Sequence, residues 1–160
     1  MKSLYQIFML LLISSGLFAQ DEILINIPKE VKAGNEFIVV INIPKNLMHG
    51  TSRLQIKLPN GFQAQGQKQA NAEFKFESQK AAFFWLNFPE KQEVEISLNV
   101  KSAPTQEGYF VIKGEANWIQ NNEPFRTEIF PQIITVLPGD KSESELTASL
   151  EKTKFKYDVL

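Results

Sequence analysis

The chain reads as all-β, with a single two-sheet antiparallel sandwich. Three observations predict this. Apolar residues recur at every second position through much of residues 22–137, the period of strands with one buried face. Turn-forming residues interrupt these runs about every 8–15 residues, the spacing of an antiparallel sandwich. The gaps are too short to hold the helices that a parallel α/β sheet needs between its strands.

The runs come in order. Ile23, Ile25 and Ile27 alternate with Leu24 and Asn26. Phe37, Val39, Ile41 and Ile43 share a face opposite Ile38, Val40 and Asn42. Leu54, Ile56 and Leu58 alternate with Gln55 and Lys57, and Phe74 and Phe76 alternate with Glu73, Lys75 and Glu77. Val94, Ile96, Leu98 and Val100 alternate with Glu95, Ser97 and Asn99, the cleanest run in the chain. Phe110, Ile112, Gly114, Ala116 and Trp118 fall on one face of the next segment, so Trp118 is read as core. Ile129, Ile134 and Val136 belong to a last segment that Pro131 bends, because proline donates nothing to a ladder. The expected interior is Val39, Ile41, Leu54, Ile56, Phe74, Ile96, Leu98, Ile112 and Val136.

Turn chemistry separates the runs at Pro28-Lys29, Lys32-Ala33-Gly34-Asn35, Pro44-Lys45-Asn46, Pro59-Asn60-Gly61, Pro89-Glu90-Lys91 and Asn121-Asn122-Glu123-Pro124. Phe74–Glu77 and Ala81–Phe88, joined by Ser78-Gln79-Lys80, form a hairpin pattern.

The two ends differ from this domain. Lys2 precedes an almost unbroken apolar run from Leu4 to Ile13, and small residues lead to Ala19 before polar Gln20-Asp21-Glu22. That is the order of an export signal, residues 1–19, with cleavage after Ala19. Leu17 is bulky for its place in the cleavage site. The apolar run is short of the roughly 20 residues of a membrane anchor, so no stable span is expected after cleavage. A lipid anchor on cysteine is closed to a chain without cysteine. The mature protein is therefore expected in the periplasm or outside the cell, with the sandwich at 20–137. Residues 138–160 read as a charged tail, disordered or partly helical: Ser144–Lys152 has room for about two turns of helix, but Leu146 and Leu150 at i,i+4 spacing give it too little to bury. Phe155, Tyr157 and Val159 alternate near its end, so an added edge strand or docking on the sandwich is a further option.

Composition narrows the chemistry. With no cysteine among 160 residues, burial rather than disulfides must stabilise the exported domain. Thiol catalysis, cysteine-ligated zinc and iron–sulfur clusters are excluded. Net charge is −1 with no lysine or arginine block, so the footprint of a nucleic-acid binder is missing. His49 is the only histidine and falls in a loop, Asn46–Thr51, which disfavours a transition-metal site. Calcium would want clustered Asp residues, and a nucleophile elbow would want Gly-x-Ser-x-Gly; neither pattern occurs. Glu93 and Glu95 read as a solvated strand face. No catalytic, cofactor or metal residue is assigned, and no enzyme activity is expected.

Aromatic density is the one feature pointing to a ligand. In Phe83-Phe84-Trp85-Leu86-Asn87-Phe88, alternation sets Phe83 and Trp85 against Phe84, Leu86 and Phe88. If exposed, Phe83 and Trp85 would be contacts for a sugar ring or a partner protein. Burial of Trp85 is the favoured expectation, on a central strand covered on both faces.

The segment from Ile27 to Val136 resembles the immunoglobulin-like and cohesin-like sandwiches of exported bacterial surface proteins. The likeness rests on Pro28–Phe37 ahead of a Val/Ile strand, on Leu58-Pro59-Asn60-Gly61-Phe62, and on Phe84-Trp85-Leu86. It continues in Gly108–Gly114 and the closing Ile133-Ile134-Thr135-Val136. The resemblance implies a binding or structural module acting in adhesion or surface assembly on a protein partner, and it carries over no catalytic residue. The alternative is a carbohydrate-binding module built around Trp85.

Overall fold

The computed structural model describes residues 22–139. The proposed signal and nearly all of the charged tail lie outside these residues. Ten strands follow in order: β1 (Leu24–Asn26), β2 (Glu30–Lys32), β3 (Glu36–Pro44), β4 (Ser52–Lys57) and β5 (Phe62–Lys68), then β6 (Glu73–Glu77), β7 (Lys80–Trp85), β8 (Glu93–Ser102), β9 (Gly108–Gln120) and β10 (Glu123–Leu137). They form two sheets, β1-β3-β8-β5 and β2-β10-β9-β4-β7-β6. The described chain contains no helix.

Period two in the sequence becomes one buried face per sheet. In the β3–β8 ladder Phe37 pairs with Val100, Val39 with Leu98, Ile41 with Ile96 and Ile43 with Val94. All eight are buried, the last three pairs almost completely. The larger sheet answers with Leu54, Ile56, Phe83, Trp85, Ile112, Ala116, Ile129, Ile134 and Val136. Stability therefore rests on burial between two apolar faces, each aliphatic chain contributing about 1.5–3 kcal/mol. Phe74 is only partly enclosed, because it sits on edge strand β6 and is covered mainly by Phe83, 5.1 Å away.

Three turns carry paired residues at positive φ: Ala70-Asn71, Ser78-Gln79 and Asn121-Asn122. The last two sit between paired residues, Glu77 with Lys80 and Gln120 with Glu123, so each is a two-residue hairpin turn. Positive φ at both central positions matches the twist of the flanking strands.

The structure corrects the sequence reading at four points. One pair is parallel rather than antiparallel: β2 runs alongside β10, Val31 opposite Val136. β5 is a full strand although Phe62–Lys68 lacks a run of apolar residues; Phe62 and Ala64 face inward between glutamines. Trp118 has the inward parity of Ala116 but is only half-buried, because the β9–β10 ribbon outruns the core there and Phe125 beside it is exposed. Nor is β7 covered on both faces: Phe84 and Leu86 are exposed on the outer side. Pro131 does disturb its strand as expected, since the β10 register slips between Ile129 and Gln132.

Candidate functional site

Phe83 and Trp85 alternate inward on β7 and lie 0% and 2% exposed. Their rings stack on each other at 6.1 Å, and Phe88 meets Trp85 edge-on at 5.2 Å. The Trp85 Nε1–H donates to the Ala70 carbonyl at 2.9 Å, so even its polar edge is occupied. Phe88 also turns inward, because β7 ends at Trp85 and the chain bends through Leu86-Asn87. The large apolar side chains left in solvent here are Phe84 on β7 and Leu86 just beyond it.

At the end of the larger sheet where β4 and β10 begin and β7 and β9 end lies a concave feature. Arg53 on β4, Asn117 on β9 and Arg126 on β10 stand in one cross-strand row. Glu115, two positions from Asn117, accepts from Arg53 Nη2 at 3.3 Å and from Arg126 Nη2 at 2.8 Å. The carboxylate is less exposed than either guanidinium, so the two arginines cover it. This fixes three long side chains across three adjacent strands. Arg53, Asn117 and Arg126 line a groove of about 820 Å³, rimmed by Phe84, Leu86, Ile119, Pro124 and Phe125. Trp85 borders it from within. Trp118 stacks on Phe125 at 5.7 Å, and its Nε1 is enclosed without an acceptor among the described residues.

The groove offers apolar rims, two arginines and an amide. The guanidinium groups of Arg53 and Arg126 are both engaged by Glu115. His49 is exposed in the β3–β4 loop, where its carbonyl accepts from the Ser52 hydroxyl at 2.8 Å. No group of three or more metal-ligating side chains gathers among the described residues. Glu93 and Glu95 are exposed, accepting from Asn42 and Lys68 respectively.

The groove was not legible from sequence, because its members come from five strands and the loops between them. The available signal was the outward parity of Arg53, Phe84, Glu115 and Arg126.

No protein-family model and no curated protein sequence matches the chain. Solved structures do. A cohesin module from a family 33 glycoside hydrolase of Clostridium perfringens superposes with a TM-score of 0.56 at 12% identity, covering 73% of this chain and 96% of that one. The major pilin SpaD of Corynebacterium diphtheriae gives 0.53 at 7% identity, covering 64% of this chain and 32% of the pilin. Among the described residues no helix is long and apolar enough to cross a membrane. The chain thus shares the immunoglobulin-like, cohesin-like β-sandwich fold of that cohesin module and of the matched part of the pilin.

Proposed function

We propose that this chain is an exported, non-enzymatic module that binds a protein partner in surface assembly or adhesion. It acts through the groove at the end of its larger sheet where β4, β7, β9 and β10 meet. The observation that carries the reading is the pair Arg53 and Arg126, bridged by Glu115 across β4, β9 and β10, beside a groove lined by exposed apolar side chains. Arginine and glutamate side chains favour orientation and specificity, while the apolar rim supplies the area that loses water on contact. The fold shared with a cohesin module and a pilin supports a structural or binding role. Export is supported by the order of residues 1–19, and the mature chain is expected to begin near Gln20 in the periplasm or outside the cell.

A photoreactive residue placed at Leu86 in the producing cell tests this. It should crosslink a defined protein, whereas the same probe at Lys101, on the other sheet, should not. Leu86→Asp with Arg126→Glu should abolish that crosslink. Equal labelling from both faces, or none from Leu86, refutes the assignment.

Carbohydrate binding is the second reading, favoured by the Trp118–Phe125 stack beside exposed Phe84. A sugar platform at Phe83 and Trp85 themselves would require those rings to leave the core. A glycan array separates the readings: a signal lost in Phe125→Ala supports carbohydrate.

A further inference from the structure

Among the described residues, strand β10 is paired along its whole length on one side only. β9 follows it from Glu123 to Val136, but β2 occupies the other side only from Thr135 to Leu137. Among the described residues, no strand pairs with that second side from Glu123 to Ile133. An open edge is a template for a further strand. Pro124 and Pro131 lack an N–H and bound the usable window to Phe125–Phe130. Within it Arg126 and Glu128 point outward, while Phe125, Thr127 and Ile129 have the opposite parity. The Glu128 side chain is 85% exposed and its nearest cation is Arg126 at 3.9 Å.

The sequence beyond the described residues contains Lys154-Phe155-Lys156-Tyr157-Asp158-Val159, apolar and charged in strict alternation. We propose that Phe155–Val159 pairs antiparallel with this edge in the same chain, Tyr157 opposite Thr127. The register follows from charge. It sets Lys156 opposite Glu128 and Asp158 opposite Arg126, with Phe155 opposite Ile129 and Val159 opposite Phe125. Sliding by two residues one way sets Asp158 against Glu128; sliding the other way sets Lys156 against Arg126. A parallel alignment with Lys156 opposite Glu128 sets Lys154 against Arg126. Like charges directly opposite destabilise a ladder. A slip of one residue turns the apolar face onto the charged side.

The connection is long enough. Residues 140–154 can span about 50 Å at roughly 3.3–3.6 Å each. The return from Leu137 to Ile129 needs about 27 Å at the strand rise. A tethered segment also meets its edge at a millimolar effective concentration.

The test uses the chain from Gln20 to Leu160. Amide exchange at Phe155–Val159 should be slowed more than about tenfold over unstructured rates. Thr127→Cys combined with Tyr157→Cys should form a disulfide within one chain; Thr127→Cys combined with Lys156→Cys, on the opposite face, should not. Glu128→Lys should release the protection, and Lys156→Glu added to it should restore it. Unprotected amides in the unaltered chain overturn the proposal. So does equal crosslinking of both cysteine pairs, or a disulfide that forms only between two chains.

Discussion

Trp85→Ala is the sharpest test of how this sandwich is held. An enclosed indole withdraws roughly 150–250 Å² from water, worth about 4–6 kcal/mol at ~25 cal/mol per Å². That is an upper bound, since an unfolded chain already hides part of its apolar surface. Alanine keeps the Cβ, while the stack on Phe83 and the edge contact with Phe88 go. The Ala70 carbonyl also loses its donor. The expected cost is about 3–5 kcal/mol, the range for deleting a buried aromatic. Trp85→Phe separates the terms: it keeps most of the apolar contact but not the hydrogen bond, so it should cost roughly 1–2 kcal/mol. Urea unfolding reads both, with the midpoint falling and the slope unchanged. A loss below about 0.5 kcal/mol for Trp85→Ala, the level of surface substitutions, would refute the placement of this ring in the core.

Other expectations are independent of that site. Ile96→Ala, in the centre of the β3–β8 ladder, should cost about 2–5 kcal/mol by the same unfolding assay. Gly114→Ala should be destabilising by roughly 1–3 kcal/mol, because its Cβ would come within 2.8 Å of both Ile56 Cδ1 and Ile129 Cδ1; a neutral result would show that the two isoleucines yield freely. Asn122→Gly should raise stability by about 0.5 kcal/mol, since φ is +64° there and glycine carries no Cβ penalty. Mass spectrometry of the exported protein should show a chain lacking residues 1–19; retention of Met1 in a membrane fraction would overturn the signal reading.

Most of the core could be read directly. Where a strand buries one face for its whole length, as Val94–Val100 does, alternation names every inward residue. β5 escaped because its inward positions are one phenylalanine and one alanine among glutamines, too weak a period to register. β2 escaped because three residues between turn signals carry no period; its place is set by the Val31–Val136 pairing, a long-range fact. Parity separated Phe83 and Trp85 from Phe84 and Leu86, but parity does not say which set faces the other sheet or whether a further layer covers the outside. Large apolar groups on both sides of β7 suggested double burial. The structure leaves one set in solvent, beside an arginine–glutamate network whose members are scattered from residue 53 to residue 126.

The parallel pair β2–β10 has a mechanical consequence. The chain enters β2 at one end of that pair and leaves β10 at the other, with Thr135 N–H donating to Lys29 and Ala33 N–H to Leu137. Tension applied before Lys29 and after Leu137 therefore pulls the two strands along each other in opposite directions. The hydrogen bonds are loaded together in shear and cannot be opened one at a time like a zipper. Three paired residues, with Val31 against the apolar interior beside Val136, become a clamp between those two points. In single-molecule stretching this predicts an abrupt rupture, with Val31→Pro removing the force peak while β3 and β8 remain paired.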